Sequence, residues 1–331
     1  MTRILIVTDN LPDQVNGVVT TFRHIESLAR SDGYDVVYLD PRQFRHADAP
    51  GYPEVKISWP WGIGRKIAEI APDHVHIATE GTIGLAARLW LDRQGWRYNT
   101  SYHTKFPEFV QRLYSIPQSW TYAYLRWFHK HSGRVLTTTD TMVRELREHG
   151  FTGEILSWTR GVDRDYLQPR STVRKQHERT QVLYAGRVSK EKNLDDLCRL
   201  EHEFDITIVG DGPYLDALRR RYVKVKFAGY LHGADLADAY AAADVFCFPS
   251  CADTFGIVMI EAISLGTPVA AYAVAGPIDV VTSGVNGFLG LDLANCIRHC
   301  LELDRGQVAS TATQWTWARC WQIFRNNLVS V

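Results

Sequence analysis

Apolar runs alternate with segments of helical period along the first half of the chain. The runs that predict strands are ILIVTD (4–9), DVVYLD (35–40), HVHIATE (74–80) and RVLTTT (134–139). Between them, apolar residues recur three and four positions apart, which predicts helices over 18–30, 83–92 and 140–149. Asp140 is the expected N-cap of the last helix. Strands that alternate with helices indicate a parallel sheet covered by helices on both faces.

The same alternation restarts after a polar, charged segment at 159–181. Strands are predicted at QVLYAGR (181–187), ITIVGDG (206–212), VKFAGYL (225–231), DVFCFPS (244–250) and TPVAAY (267–272), with helices between them. The fold class is therefore α/β, with two doubly wound sheets in succession. Such folds bind ligands at the carboxyl ends of their strands, which predicts a cleft lined by those ends.

The last segment, 313–328, predicts a helix with Trp317, Trp321 and Phe324 on one face. We expect this helix to cross back to the N-terminal domain. The predicted domains are an N-terminal one at 1–163 together with 312–331, and a C-terminal one at 164–311.

Composition excludes several classes of protein. A chain of 331 residues exceeds the size at which one core keeps growing, and its 45% hydrophobic and 22% charged residues are typical of a globular protein. The 37 basic and 37 acidic residues balance, so no general attraction to nucleic acid is expected. No apolar run approaches the roughly 18 residues of a membrane span. The opening MTRILIVTDN is too short in its apolar part for a signal peptide, so a cytoplasmic protein is expected.

The six cysteines include two pairs with four-residue spacing, Cys247 with Cys251 and Cys296 with Cys300. Neither pair has a histidine at ligand spacing, and both lie in apolar or helical contexts. We therefore expect small buried side chains in a reducing compartment rather than zinc ligands or disulfides.

The segment DTFGIVMIEAISLGTPV (253–269) places two acids around an apolar helix. Phe255, Gly256, Ile257 and Val258 open that helix, and Gly266 is placed to end it. The first N–H groups of a helix attract anions, so a diphosphate is the expected ligand class.

Each acid of that segment has two interpretations. Glu261 suits a ribose diol, because a carboxylate accepts two hydroxyl hydrogen bonds, and Asp253 could accept hydroxyls of a sugar beyond the phosphate. An exposed helix residue and a turn residue explain the spacing of Glu261 and Asp253 equally well.

A cluster of cations supports the ligand interpretation. Arg187 and Lys192 follow a predicted strand, where arginine clamps phosphate with its fork and lysine supplies a point charge. A solvated basic turn is the alternative. Gly210 begins the tight turn GDGP (210–213), which leaves the backbone open to a ligand.

The first half offers weaker signals. Gly17 precedes a helix in NGVV (16–19), and His103 follows a short strand, where a lone histidine is more often structural. The predicted cleft makes His103 a candidate. Asp163 and Asp165 match the DxD pattern of metal-bound nucleotide-sugars, but they lie in the polar segment with no strand leading to them, so we expect a chance match.

Taken together, these segments resemble the retaining family-4 glycosyltransferases of GT-B fold. The motifs, in order, are NGVV (16–19), HIATEGTIG (76–84), SYHTKF (101–106), WTRGVD (158–163), GRVSKEKN (186–193), GDGP (210–213), FAGYL (227–231) and DTFGIVMIEAISLGTPV (253–269). HIATEG, SYHT and WTRGVD are similar to the branch of GDP-mannose-dependent mannosyltransferases and sulfoquinovosyl diacylglycerol synthases. The resemblance implies two Rossmann-like domains that face each other across a cleft.

The resemblance also implies transfer of a hexose from GDP-mannose or a UDP-sugar, with retention of configuration and without metal or cofactor. Arg187 and Lys192 would bind the diphosphate, Glu261 the ribose and His103 the transferred sugar. Asp253 stands where the family's EX7E pair has its first Glu, and its side chain is one methylene shorter. The identity of the transferred sugar therefore stays open. The other donor-binding candidates are Gly17, Gly210, Gly229, Tyr230, Leu231, Phe255, Gly256, Ile257 and Val258, with 229–231 beside the base.

The acceptor is expected to be a hydroxyl of a sugar or a lipid, with Glu80 and Lys105 as candidate contacts. Region 80–134 is basic, and the helix-spaced aromatic residues of SWTYAYLRWFHK (119–130) suit an anionic membrane surface. Such an aromatic stripe is more often part of a core. The basic residues are Arg88, Arg93, Arg97, Lys105, Arg112, Arg126, Lys130 and Arg134, against Glu80, Asp92 and Glu108.

Two other functions stay open at this stage. A non-hydrolysing sugar-nucleotide epimerase shares the two-domain architecture, but it needs acid and base groups around the sugar, for which the first half offers only Glu80 and Glu108. A catalytically silent nucleotide-sugar-binding protein is compatible with Asp253.

Overall fold

The computed structural model describes residues 1–14, 16–49, 52–107, 110–111, 116–171 and 177–331, without the side chains of 52–55. Glu108 and Arg112 lie outside the described residues. The chain divides into two compact units, one of Met1–Arg160 with Trp317–Val331 and the other of Gly161–Thr316. The sequence-based divisions were placed at 163 and 312.

The N-terminal unit is built on a parallel sheet of six strands. Its strands are β1 Arg3–Val7, β2 Asp35–Leu39, the hairpin β3 Arg45–Ala49 and β4 Tyr52–Trp59, β5 His74–Ile77, β6 Asn99–Tyr102, β7 Val135–Thr137 and β8 Ile155–Ser157. The sheet order is β2-β1-β5-β6-β7-β8, and the hairpin forms a separate antiparallel pair. Its helices are Gly17–Ser31, Ile63–Ile70, Thr82–Gln94, Gln118–His129, Asp140–Glu148 and Trp317–Asn326.

Strand β1 shows why the sequence pattern worked. Ile4 to Val7 are at most 1% exposed, because a parallel strand with helices on both faces is buried on both sides and is apolar throughout. The hairpin strand β3 has four exposed residues of five and therefore carries no such signal.

The predicted cap at Asp140 is wrong. Thr139 is the N-cap, because its hydroxyl accepts from the Met142 N–H at 3.2 Å and Asp140 is the first helical residue.

The C-terminal helix packs on the N-terminal unit, as predicted. The Phe324 ring lies 6.1 Å from Phe22 and 5.0 Å from Trp158, measured between ring centroids. The Trp321 indole donates to Asp32 at 2.6 Å, and the Trp158 indole donates to the Cys320 carbonyl at 2.9 Å. These contacts join the two ends of the chain in one core.

The C-terminal unit is a second parallel sheet of six strands. Its strands are β9 Gln181–Ala185, β10 Asp205–Val209, β11 Lys226–Gly229, β12 Val245–Phe248, β13 Val269–Tyr272 and β14 Gly287–Gly290. The order β11-β10-β9-β12-β13-β14 is that of a doubly wound Rossmann sheet. All strands are parallel, and the order in which the chain adds them reverses between β9 and β12. Its helices are Leu194–Cys198, Leu215–Arg221, Gly233–Ala242, Ile257–Ser264, Pro277–Val280, Leu293–Cys300 and Arg305–Ser310.

Two minor predictions are resolved here. Five of the six cysteines are buried as expected, whereas Cys251 is exposed. Asp163 accepts a hydrogen bond from the Tyr166 N–H at 3.0 Å, so its carboxylate takes part in a turn.

Candidate functional site

The centre of the C-terminal sheet brings two predicted site residues together. Lys192 follows β9 and Asp253 follows β12, and these two strands are neighbours at the point where the strand order reverses. The Lys192 ammonium lies 2.7 Å and 2.9 Å from the two carboxylate oxygens of Asp253. Ligands of doubly wound sheets bind at this point, so the ion pair marks the candidate site.

The carboxyl ends of β9, β10 and β11 are joined edge to edge by backbone hydrogen bonds. The Gly210 N–H donates to the Gly229 carbonyl at 2.7 Å, and the Val188 N–H donates to the Asp211 carbonyl at 2.9 Å. Arg187 precedes Val188, so the predicted diphosphate residue lies at the same edge as the turn at Gly210. The structure thus gathers three separate sequence signals on one side of the sheet.

A buried tyrosine fixes the backbone of Arg187. The Tyr184 hydroxyl donates to the Arg187 carbonyl at 2.9 Å, and Tyr184 is 1% exposed. Burial raises the pKa of Tyr184, so the hydroxyl keeps its proton and this hydrogen bond at neutral pH. Arg187 is therefore held at its backbone.

The segment predicted to lie beside the base follows β11. Gly229 ends the strand, Tyr230 is exposed and Leu231 is half-buried. The Tyr230 ring is nearly parallel to that of His232, at 6.1 Å between centroids. A nucleobase would find main-chain groups and an aromatic face here.

The helix Ile257–Ser264 begins as predicted, with its amino end at the same edge. Gly256 precedes it with φ of +86°, a left-handed conformation that favours glycine, and Gly266 follows it with φ of +76°. Among the residues that the structure describes, no side chain caps this helix. Its first N–H groups are therefore available to an anion.

The helix after β1 differs from that arrangement. Asn16 caps the helix Gly17–Ser31, and its side-chain oxygen accepts from the Val18 N–H at 3.0 Å and the Val19 N–H at 2.9 Å. A phosphate at Gly17 would compete with this cap. An anion at Gly17 would thus have to displace the Asn16 side chain, whereas an anion at Ile257 would displace no side-chain cap among the described residues.

Glu261 lies one turn inside the helix Ile257–Ser264 and is half-buried. The Tyr240 hydroxyl donates to its Oε2 at 2.8 Å. Burial raises the pKa of the Glu261 carboxyl, although the hydrogen bond from Tyr240 opposes the shift. Glu261 is thus an oriented acceptor whose charge costs stability.

Glu261→Gln is expected to stabilise the fold at neutral pH. A raised pKa means that the folded state holds the proton more tightly than the unfolded state, so stability falls as pH rises through that pKa. Thermal melts at pH 7 should rise by about 2–4 °C for each kcal/mol regained. The gain should shrink toward pH 4, while donor affinity falls.

The exposed Glu302 supplies the control, since Glu302→Gln should change neither melt nor affinity. A Glu261→Gln protein that melted lower at pH 7 would contradict the assignment.

Gly276 was missed by the sequence analysis. It lies after β13 with φ of +94°, and a Cβ there would lie 2.7 Å from the Asp253 carbonyl oxygen. The loop after β13 therefore supports the loop that carries Asp253. The pair Gly276-Pro277 directly after a predicted strand was the available signal, of the same kind as GDGP.

His103 occupies the corresponding edge of the N-terminal unit, directly after β6. Its Nδ1 lies 2.9 Å from the Arg160 guanidinium, and its ring packs against Phe22 and Trp158. Burial, Arg160 and His76 together hold the pKa of His103 well below its usual range. His103 is therefore neutral at physiological pH. Arg160 was quoted only within WTRGVD and was not predicted to have a role.

The two acceptor candidates are engaged in pairs. Lys105 lies 2.9 Å from the Glu145 carboxylate, and Glu80 lies 3.3 Å from Nε2 of the buried His129. Both pairs lie within the N-terminal unit. Their side chains are 12–20% exposed except for His129, so Lys105 and Glu80 have partners of their own without a ligand.

The family comparisons cover most of the chain. Residues 15–166 match the family described as Glycosyltransferase Family 4. Residues 179–303 match the family described as Glycosyl transferases group 1.

Curated relatives are similar at modest identity. A GDP-mannose-dependent alpha-mannosyltransferase of Corynebacterium glutamicum is 29% identical over 87% of this chain and 76% of the relative. A sulfoquinovosyl transferase of Arabidopsis thaliana is 27% identical over 86% of this chain, which spans 62% of that protein. An alpha-monoglucosyldiacylglycerol synthase of Streptococcus pneumoniae is 25% identical over 82% of this chain and 71% of the relative.

Solved structures with the same fold extend over both units. A sucrose-phosphate synthase from Thermosynechococcus elongatus superposes with a TM-score of 0.78 at 18% identity, over 98% of this chain and 99% of that chain. The Anabaena protein HepE in complex with UDP and glucose gives a TM-score of 0.71 at 17% identity, with the same coverage. The chain belongs to the glycosyltransferases of family 4 and group 1, and it has their GT-B fold.

Proposed function

We propose that the protein transfers a hexose from a nucleoside-diphosphate sugar to a hydroxyl acceptor, with retention of configuration and without metal or cofactor. The observation that carries the proposal is the pair Lys192 and Asp253 at the switch point of the Rossmann sheet. In this proposal Lys192 would supply a cation to the diphosphate, and the neighbouring Asp253 would accept hydrogen bonds from sugar hydroxyls. Arg187 and the amino end of the helix Ile257–Ser264 lie at the same edge.

Each part of the site has a role in this reaction. The bond between the anomeric carbon and the diphosphate oxygen breaks, and negative charge develops on the leaving diphosphate. Arg187, Lys192 and the first N–H groups of the helix Ile257–Ser264 would stabilise that charge most strongly in the transition state. The acceptor hydroxyl attacks from the leaving-group side and loses its proton to a donor phosphate oxygen. Glu261 would accept hydrogen bonds from the ribose diol.

The donor is best identified by ligand-dependent stability. GDP-mannose is the first candidate, because relatives bear that donor in their names, and UDP-sugars are the second. A ligand present at 100 times its Kd stabilises the folded state by about 2.7 kcal/mol. Thermal melts against a panel of nucleotides and nucleotide-sugars should therefore select one base.

The selected donor then tests the reaction. Transfer, or slow hydrolysis that releases nucleoside diphosphate, supports the proposal, and a chelator should leave the rate unchanged. Reversible isomerisation of the donor would instead indicate an epimerase. Binding without any turnover would indicate a silent binding protein.

We further propose a lipid or lipid-linked acceptor at an anionic membrane surface, on the inner face of the cytoplasmic membrane. The helix Gln118–His129 supports it. Phe128 is fully buried as the aromatic spacing predicted, but Trp120 is 72% and Trp127 43% exposed. Arg126 is exposed on the same helix, and Lys130, which directly follows the helix, is exposed as well. Basic and aromatic side chains together favour the headgroup region.

Three other basic residues of the region contribute less to such a surface. Arg88 is 2% exposed and stacks on Trp127, and Lys105 and Arg134 pair with acids. No helix of the described segments has the length and apolar character needed to cross a membrane.

Trp120→Ser with Lys130→Ser is expected to weaken binding to anionic vesicles. Each basic residue near an anionic surface contributes about 1 kcal/mol, so with the lost indole the affinity should fall roughly tenfold or more. Cosedimentation with phosphatidylserine-containing vesicles at low and high salt measures it. The double variant Leu291→Ser, Lys226→Ser is the control, since both residues are exposed in the C-terminal unit. Failure of the wild-type protein to cosediment with these vesicles at low salt would contradict the proposal.

A further inference from the structure

We propose that Arg160 is a positioning residue that holds His103 as the neutral tautomer protonated on Nε2, so that His103 donates a hydrogen bond to an oxygen of the transferred sugar. The inference rests on the proposed function and on the family resemblance, which implies that His103 contacts the transferred sugar. In this proposal Arg160 acts through His103 and makes no contact of its own with the substrate.

The hydrogen bond between the two residues has only one possible direction. Nη2 of Arg160 lies 2.9 Å from Nδ1 of His103. A guanidinium has donors and no acceptor, so Nδ1 must accept. A neutral imidazole with an accepting Nδ1 carries its proton on Nε2. The ring therefore offers a donor at Nε2 and cannot accept a proton at Nδ1 while Arg160 stays in place.

Arg160 is fixed on three sides. Its Nη1 donates to the carbonyls of Trp158 and Thr159, the latter at 3.0 Å, and its guanidinium lies 4.6 Å from the centre of a Trp158 ring. The residue is 3% exposed. A planar fork held by two carbonyls and an indole has one orientation, and that orientation sets the angle at which His103 is approached.

The charges around His103 also favour a neutral ring. Arg160 and His76 face it, while Phe22 and Trp158 are uncharged. Burial lowers the pKa of Arg160 only to about 10 and that of His76 to about 3, so at neutral pH the first is a cation and the second is neutral. Protonation of His103 would add a second buried cation beside Arg160, which is costly.

A neutral donor suits the sugar. The transition state of glycosyl transfer carries positive charge on the sugar ring, as in glycoside hydrolysis. An imidazolium would repel that charge, whereas an Nε2–H group holds a hydroxyl or ring substituent without adding charge. The arrangement thus separates orientation of the sugar from proton transfer.

Nitrogen NMR of the labelled histidine rings tests the tautomer directly and without turnover. Wild-type His103 should show a protonated Nε2 and no titration between about pH 5.5 and 8.5. Arg160→Leu should give a mixture of tautomers or a ring that titrates in that range. Arg160→Lys keeps a charged donor and should keep the tautomer. Both variants lose carbonyl contacts and should melt lower, so stability alone does not explain a difference between them.

Activity tests the consequence by a double-mutant cycle. Arg160→Leu should lower kcat about tenfold or more, equivalent to about 1.4 kcal/mol, in the wild-type background and less than about twofold in His103→Ala. Arg160→Lys should retain most of the wild-type kcat. Equal losses in both backgrounds, or an Nδ1-protonated ring in the wild type, would overturn the inference. A protein with the expected tautomer but no transfer activity would refute the proposed function and leave the tautomer assignment standing.

Discussion

Arg187→Ala is expected to lower kcat about 100- to 1000-fold at saturating donor, the range found when one preorganised donor to a developing negative charge is removed. The residue lies at the carboxyl end of β9 with its carbonyl held by the buried Tyr184. Because the diphosphate gains charge as the glycosidic bond breaks, the loss should appear in kcat as well as in donor affinity. Steady-state kinetics with the identified donor measure both.

Two variants make the Arg187 experiment decisive. Arg187→Lys keeps the charge without the fork and should recover part of kcat. Arg220→Ala removes an exposed arginine of the same unit and should leave kcat and melting temperature unchanged. Full turnover by Arg187→Ala at saturating donor would mean that Arg187 does not stabilise the leaving group.

The elements that the sequence predicted correctly are those buried on two faces. Strand β12, Val245–Phe248, is a continuous apolar run because both faces of its sheet are covered, and it was predicted within one or two residues. Strand β14 reads GFLG, and its two glycines give neither an apolar run nor an alternation. Strand β3 of the hairpin was not predicted either, because four of its five residues are exposed and it therefore has no apolar run. Periodicity reports burial, so elements with little burial escape it.

The candidate site was predicted as separate residues, and the contacts among them were not predicted. Motif order located Arg187, Lys192, Asp253 and Glu261, because each lies at a strand end or a helix start that local pattern reveals. The ion pair of Lys192 with Asp253 joins residues 61 positions apart, and it follows from the pairing of β9 with β12, which no local pattern contains. Arg160 was missed for the same reason, since its proposed role depends on a contact with His103, which lies 57 positions earlier in the sequence.

Lys192→Ala is expected to lower kcat/KM for the donor by at least about 100-fold, because the change acts twice. It removes a cation from the predicted diphosphate site, and it leaves the half-buried Asp253 carboxylate without that partner. A carboxylate and a phosphate charge about 4 Å apart would repel each other by about 4 kcal/mol at an effective dielectric constant of 20, and the partial exposure of Asp253 reduces this repulsion. An unmasked carboxylate would therefore repel the diphosphate.

Adding Asp253→Asn to Lys192→Ala separates the two effects. The asparagine has the same size and no charge, so the double variant should recover roughly tenfold in kcat/KM, about 1.4 kcal/mol, relative to Lys192→Ala. Asp253→Asn alone should lower kcat, since the sugar loses a charged acceptor. Lys190→Ala is the matched control, because Lys190 is exposed two positions away. If the double variant were no better than Lys192→Ala, Asp253 would not face the diphosphate, and its role would be confined to the sugar.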